Sequence, residues 1–254
     1  MAKLTWNGSY GFDLSFLNLS NVTYGSSYTT TYTSFIAYYG SRSTRDEFHG
    51  SGFTYDADGV PTGGTVTSYA NYENGRLLGS ISGMNLSATA LVKAASTYST
   101  RDDMALYKAA LRGNDQITGG RADDRLEGFG GNDKITGGRG ADTLYGGTGA
   151  DTFVFKSIRD SGPTSDDCDF IMDFSTRQKD RIDLSTIDAN LSRKGNQAFS
   201  FIGAKEFGAK AGELRYEKLE SFTVVEGDVN GDGVADFSIA LKGIHTLSKG
   251  YFVL

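Results

Sequence analysis

Residues 137–154 read GGRGADTLYGGTGADTFV, and the second nine residues nearly repeat the first nine. The register extends well beyond this window. Aspartates stand at Asp115, Asp124, Asp133, Asp142 and Asp151, each nine residues after the last. Apolar side chains follow two places later, at Ile117, Leu126, Ile135, Leu144 and Phe153. Glycines precede them at Gly119-Gly120, Gly128, Gly130-Gly131, Gly137-Gly138, Gly140, Gly146-Gly147 and Gly149. A mere glycine- and aspartate-rich linker would not hold the apolar phase. The spacing is neither that of a helix nor that of an ordinary strand.

This register resembles the G-G-x-G-x-D-x-U-x nonapeptide of the RTX proteins, a calcium-binding repeat. A six-residue glycine-rich turn tolerates positive φ and turns several carbonyls to one side. The x-U-x that follows is one short strand with its middle side chain pointing inward. Two nonapeptides complete one coil of a parallel β-roll, so turns eighteen residues apart stack. Asp115, Asp133 and Asp151 then line one edge, and Asp124 and Asp142 the other. Calcium takes six to eight hard oxygen ligands at flexible angles, which stacked turns of carbonyls and carboxylates supply. The expected ligating positions are Gly113, Asp115, Gly120, Asp124, Gly131, Asp133, Gly138, Gly140, Asp142, Gly147, Gly149 and Asp151. Roughly three or more ions follow, between Asp115/Asp133, Asp124/Asp142 and Asp133/Asp151. The first unit lacks its leading glycines and the second carries Ala122 and Asp123, so this end reads as the cap of the roll.

After the repeat come DDCDFIMDF, DRIDLSTIDA, AFSFIG, AGELRY and VEGDVNGDGVADFSIALKG. Over residues 112–254 this succession resembles the C-terminal domain of the serralysin metalloproteases and related type I secretion substrates. The resemblance implies a roll that runs on into an antiparallel β-sandwich, and an uncleaved export signal at the hydrophobic end Gly250-Tyr251-Phe252-Val253-Leu254. The acidic residue such signals often place just before that end is absent, with Lys249 there instead. It does not extend to catalysis. The two histidines, His49 and His245, sit in no HExxH motif, so the zinc-protease site is not in this sequence. Asp228, Asn230, Asp232 and Asp236 match the first nine positions of an EF-hand-like loop, but Ile239 stands at the twelfth. Two readings stay open there, a plain Asn-Gly/Asp-Gly hairpin and a calcium-binding one. Asp166, Asp167, Asp169 and Asp173 are further candidates to close the last coil.

Composition narrows the partners. A net charge of −6 argues against a nucleic-acid partner, whose phosphates call for a basic face. No apolar run approaches the ~20 residues of a membrane span. The single Cys168 excludes an internal disulfide framework, and Met1-Ala2-Lys3 leads into no secretory-type apolar stretch.

The first 86 residues read as an antiparallel β module. The runs are FDLSFLNL, YTTTYTSFIAYYG, DEFHGSGFTYD, GGTVTSYANYE and RLLGSISGMNL, with hairpin signals at residues 56–59 and 73–75. Ser87 and Ser99 or Thr100 are candidate N-caps for two amphipathic helices across residues 87–111, with Asp102 and Asp103 in the second helix's first turn. Asp46 and Glu47 would alternate across a strand and so cannot form an acid/base pair. The expected fold is mainly β: the antiparallel module (1–86), the helical connector (87–111), the roll (112–154), and a serralysin-like β domain (155–254). The expected function is a secreted bacterial protein that folds on calcium after passing a type I secretion apparatus. It would serve as a surface, matrix or adhesion module for a glycan or cell-surface ligand and not as an enzyme. Its alternatives are a polysaccharide- or ester-active enzyme with its site in the N-terminal module, and an export and folding scaffold.

Overall fold

The computed structural model describes residues 1–13 and 19–254. The FDLSFLNL run lies largely outside the described residues. The chain is mainly β and packs as two compact units, Met1–Gly8 with Asp13–Gln116, and Ser9–Phe12 with Ile117–Leu254.

In the first unit, β1 (Lys3–Trp6), β2 (Ser27–Thr31), β3 (Ser34–Tyr39), β4 (Ser41–Tyr55), β5 (Pro61–Glu73) and β6 (Arg76–Ser87) form an antiparallel meander. Their spatial order is β1-β6-β5-β4-β3-β2. The two turn signals hold. Asp56 Oδ1 accepts from the backbone N–H of Asp58 (3.0 Å) and Val60 (2.9 Å), closing the β4–β5 loop. Asn74 and Gly75 take φ of 50° and 82°, as the turn favoured by hairpin twist requires. The run YTTTYTSFIAYYG is not one strand: it folds back at Tyr32-Thr33 into β2 and β3. No Gly, Pro, Asn or Asp marks that turn, so sequence alone gave no reason to break the run.

Both helices start where their serines allow. Ser87 caps α1 (Ala88–Ala95) and Ser99 caps α2 (Thr100–Ala110), each side chain accepting a backbone N–H of the first turn. α1 lies on β5 and β6, and α2 on β6 and α1. Leu91, Ala94, Ala95, Tyr107 and Leu111 are buried. Asp46 and Glu47 do point to opposite faces. Asp46 is buried and accepts from Tyr39 Oη (2.6 Å), Tyr69 Oη (2.7 Å) and Asn71 Nδ2 (2.8 Å). Glu47 pairs with Arg45 (2.6 Å) and His49 (3.2 Å) on the other side. Glu47 thus has both oxygens committed, and no acid/base pair forms.

The second unit is a coil of short strands: β7 (Gln116–Thr118), β8 (Arg125–Glu127), β9 (Lys134–Thr136), β10 (Thr143–Tyr145), β11 (Thr152–Val154), β12 (Asp169–Ile171) and β13 (Arg181–Asp183). Then follow β14 (Ser200–Gly203), β15 (Glu213–Lys218), β16 (Phe222–Asp228), β17 (Phe237–Lys242) and β18 (Phe252–Val253). Strands alternate between two sheets. One runs β7-β9-β11-β13-β18 and the other β8-β10-β12-β17-β16-β15-β14. Leu126 pairs with Leu144 and Ile135 with Phe153, eighteen residues apart as the repeat requires. Parallel stacking runs on past the repeat: Leu144 pairs with Ile171, Phe153 with Ile182, Ile171 with Leu241 and Ile182 with Phe252. The second sheet then turns antiparallel over β17, β16 and β15. Ile117, Leu126, Ile135, Leu144, Phe153, Ile171 and Ile182 fill the space between the sheets, each at most 1% exposed. A fully buried side chain of this kind contributes about 1.5–3 kcal/mol, so this file is the main apolar source of the roll's stability.

Candidate metal centre

Each strand of the roll is entered from a glycine-rich turn that ends on an aspartate, and these aspartates form two hydrogen-bonded ladders. On one edge the backbone N–H of Asp124 donates to Asp142 Oδ1 (2.8 Å), and that of Asp142 to Asp169 Oδ1 (2.9 Å). On the other, the N–H of Asp133 donates to Asp151 Oδ1 (2.9 Å), and that of Asp151 to Asp180 Oδ1 (3.0 Å). Phe12 extends the first ladder backwards, its N–H donating to Asp124 Oδ1 (2.6 Å). In the first unit, Asp115 Oδ1 accepts the N–H of Ala2, and Gly113 lies beside it.

Stacking therefore consumes one oxygen of each carboxylate. The other oxygen points back into its own turn. A Cβ placed on Gly119, Gly128, Gly137 or Gly146 would run into Oδ2 of Asp124, Asp133, Asp142 or Asp151 respectively. The same Cβ on Gly119 would also strike the carbonyl of Gly137, and on Gly128 that of Gly146. A carboxylate oxygen of one coil and a carbonyl of the next thus converge on one point. That point is open only because glycine stands there. The stacked backbones are equally close at the other glycines. A Cβ on Gly138 would meet Gly120, on Gly147 Phe129, on Gly140 Ala122, and on Gly149 Gly131, each eighteen residues back. Gly138, Gly140, Gly147 and Gly149 all take positive φ, and Phe129 takes φ of 65° where a glycine stands in the other turns.

Oδ2 of Asp142, Asp151 and Asp169 is buried with no hydrogen-bond partner, and these three residues are 0% exposed. Three buried carboxylates with a bare oxygen are costly unless a cation neutralises them. Burial, and then neighbouring carboxylates, push Asp142 up to about 7, Asp151 to about 6 and Asp169 to about 9. Burial also raises Asp124 and Asp180. Hard oxygen donors from carboxylate and carbonyl, in flexible turns, suit calcium and not a soft metal. Among the described residues no three His, Cys, Asp or Glu side chains gather as a metal cluster. The carboxylates of the ladders are spread one to a turn, so an ion there would have to take its remaining donors from backbone carbonyls.

Sequence reasoning reached the repeat's own aspartates and named Asp169 and Asp173 as further candidates. It missed Asp180 and Gln178. Asp173 caps the N–H groups of Gly146 (2.9 Å) and Gly147 (2.8 Å), and Gln178 Oε1 that of Gly149 (2.8 Å). Side chains here replace the turn that another repeat would have supplied. The other two candidates differ: Asp167 is spent locally on Thr164, and Asp166 is exposed. The loop at residues 228–236 is built otherwise. Asp228 is 0% exposed, but its oxygens accept from the N–H groups of Asn230 (3.1 Å), Gly231 (2.6 Å) and Gly233 (2.9 Å). Asp236 accepts from Val229 (2.7 Å) and Asn230 Nδ2 (2.9 Å), Asn230 Oδ1 from Asp232 (2.8 Å), and Asp232 from Val234 (2.8 Å). This is a hairpin capped by its own amides, between β16 and β17. His245 donates from Nε2 to the Lys242 carbonyl (2.9 Å) and packs edge-on against Phe174.

The family described as "Peptidase M10 serralysin C terminal" matches residues 110–254, more than half the chain. No curated protein matches. Two solution structures of subunits of the Azotobacter vinelandii mannuronan C5-epimerase are similar. The AlgE6R3 subunit is 33% identical over 56% of this chain and 73% of its own, with a TM-score of 0.39. The AlgE6R2 subunit is 26% identical over 56% of this chain and 88% of its own, with a TM-score of 0.40. Through residues 110–254, the chain belongs to the serralysin C-terminal family of the M10 peptidases.

Proposed function

We propose that this protein binds calcium in the turns of its roll and completes its folding on doing so. The observation that carries this reading is the pair of aspartate ladders, in which Asp142, Asp151 and Asp169 keep a buried oxygen free beside the turns. Ions would lie between successive turns on each edge, held by Asp124 and Asp142 on one and by Asp133 and Asp151 on the other. Asp169 and Asp180 extend the two sets. At affinities of about 10⁻⁴–10⁻³ M, millimolar calcium adds about 1 kcal/mol per ion, so several ions together decide whether the roll is folded. Such a protein would stay loose in a low-calcium cytosol, pass a type I secretion apparatus, and fold outside as a surface or matrix binding module. Asp228, Asn230, Asp232 and Asp236 are better read as a structural hairpin, because none of their side-chain oxygens is buried without a hydrogen-bond partner, as Oδ2 of Asp142, Asp151 and Asp169 is.

Equilibrium dialysis against calcium tests this on the full chain. Wild-type protein is expected to bind several ions, and the double variant Asp142→Asn/Asp151→Asn to lose at least two of them. Unchanged stoichiometry in that variant would overturn the assignment. A further loss on Asp228→Asn would restore the calcium-binding hairpin.

A further inference from the structure

Among the described residues the strand β2 ends its sheet, and every residue of it except half-buried Thr29 is exposed. The two-residue turn Tyr32-Thr33 makes Thr31 and Ser34 a hydrogen-bonded pair. Alternation along the ladder gives Thr29 and Ser27 to β3, and leaves the N–H and C=O of Tyr28 and Thr30 pointing away from the sheet. Natural edge strands are guarded by lysine, proline or inward charges. Here no charged residue and no proline lies between Asp13 and Arg42, although 22% of the whole chain is charged. The edge sequence Ser27-Tyr28-Thr29-Thr30-Thr31 is aromatic and β-branched, the composition that pairs most readily.

A second feature sits beside it. Tyr28, 38% exposed, stacks on Phe35 at 5.5 Å between centroids. Both rings line a largely apolar cavity of about 170 Å³ with Val22, Val60, Leu91 and Val92, and Asp58 and Pro61 of the β4–β5 hairpin also reach it.

We infer that β2 pairs edge to edge with β2 of a second copy of this chain, in an antiparallel two-fold dimer. Two-fold symmetry centred on Thr29 sets Tyr28 opposite Thr30 of the second copy, and Thr30 opposite its Tyr28. Each pair exchanges two N–H to C=O bonds, so the four outward groups of each strand are satisfied with no charge to bury. The strand is its own complement, which a strand of mixed charge or with a proline would not be. Tyr28 of each copy comes to lie at the junction.

Sedimentation equilibrium on the full chain in calcium decides the matter. The wild type is expected at twice the 27.2 kDa of one chain across micromolar to sub-millimolar concentrations. Thr30→Pro removes an outward N–H and leaves the β2–β3 ladder intact, and Tyr28→Lys sets a charge on the edge. Both variants are expected at the mass of one chain with unaltered far-UV circular dichroism. A wild type of single-chain mass throughout, or a dimer that persists in either folded variant, overturns the proposal. Should Thr30→Pro misfold, Tyr28→Lys and hydrogen exchange decide instead. The amides of Tyr28 and Thr30 are expected to slow as concentration rises, and exchange independent of concentration also overturns it.

Discussion

Asp142→Asn separates what the roll costs from what calcium returns. Asp142 is fully buried, Oδ1 accepts the N–H of Asp124, and Oδ2 has no partner. Without an ion, burial raises its carboxyl from 3.8 to about 7. At about 1.4 kcal/mol per pH unit, ionising it in the fold at neutral pH costs up to about 4 kcal/mol. Asparagine keeps the Oδ1 acceptor and removes the charge, but its amide faces the same turn and forfeits about 1–3 kcal/mol if it finds no carbonyl. The variant should therefore be more stable than wild type by about 1–3 kcal/mol at low calcium. In saturating calcium it should be less stable, because it has lost a charged ligand to the ion. Urea unfolding at pH 7.5, followed by far-UV circular dichroism in low and saturating calcium, reads both values. The sign of the change must invert between the two buffers. An effect of the same sign in both would refute the argument that Asp142 is an uncompensated charge awaiting a cation.

Other perturbations follow from the same geometry. The folded values of Asp151, Asp142 and Asp169, about 6, 7 and 9, all exceed the unfolded 3.8. The calcium-free fold thus holds more protons than the unfolded chain, and its stability is lost as pH rises through that window. Acidification from pH 8 to 5 should stabilise the calcium-free protein and weaken calcium binding, as urea midpoints and calcium titrations at each pH will show. Gly149→Ala puts a Cβ against the Gly131 carbonyl at φ 135° and should cost about 2 kcal/mol or more in calcium-saturated urea unfolding. Gly203→Ala, with nothing within 4 Å of its Cβ, should cost about 1 kcal/mol and serves as its control. Asp173→Ala strips the cap from Gly146 and Gly147 and should lower the urea midpoint by the equivalent of about 1–3 kcal/mol per amide.

The roll was legible because its physics repeats. One aspartate and one inward apolar residue every nine positions fix turn, strand and sheet together, and eighteen-residue pairing follows from the alternation of sheets. Legibility ended where the period did. Asp169 lies 27 residues after Asp142, and Asp180 lies 29 after Asp151. The longer connections at residues 155–168 and 172–180 hide both from a nine-residue count, although each occupies the rung its predecessor prepared. Serine caps announced α1 and α2 through a local rule. The β2–β3 hairpin escaped because its Tyr32-Thr33 turn carries no residue with a backbone preference for turning, and only strand pairing across the sheet enforces it. At residues 228–236 the sequence left two readings open, because calcium loops and self-capped hairpins call on the same oxygen donors. Backbone amides of Gly231 and Gly233 occupy the Asp228 oxygens, and the calcium stoichiometry of Asp228→Asn decides between the two readings.

Amide hydrogen exchange across residues 116–183, compared in calcium and in EGTA, asks whether calcium folds the roll. The amides of Asp124, Asp133, Asp142 and Asp151 each donate to a carboxylate of the next rung, so their protection reports the ladders one by one. We expect these four amides to be protected by orders of magnitude more in calcium than in EGTA. Equal protection in both buffers would contradict a roll that calcium folds.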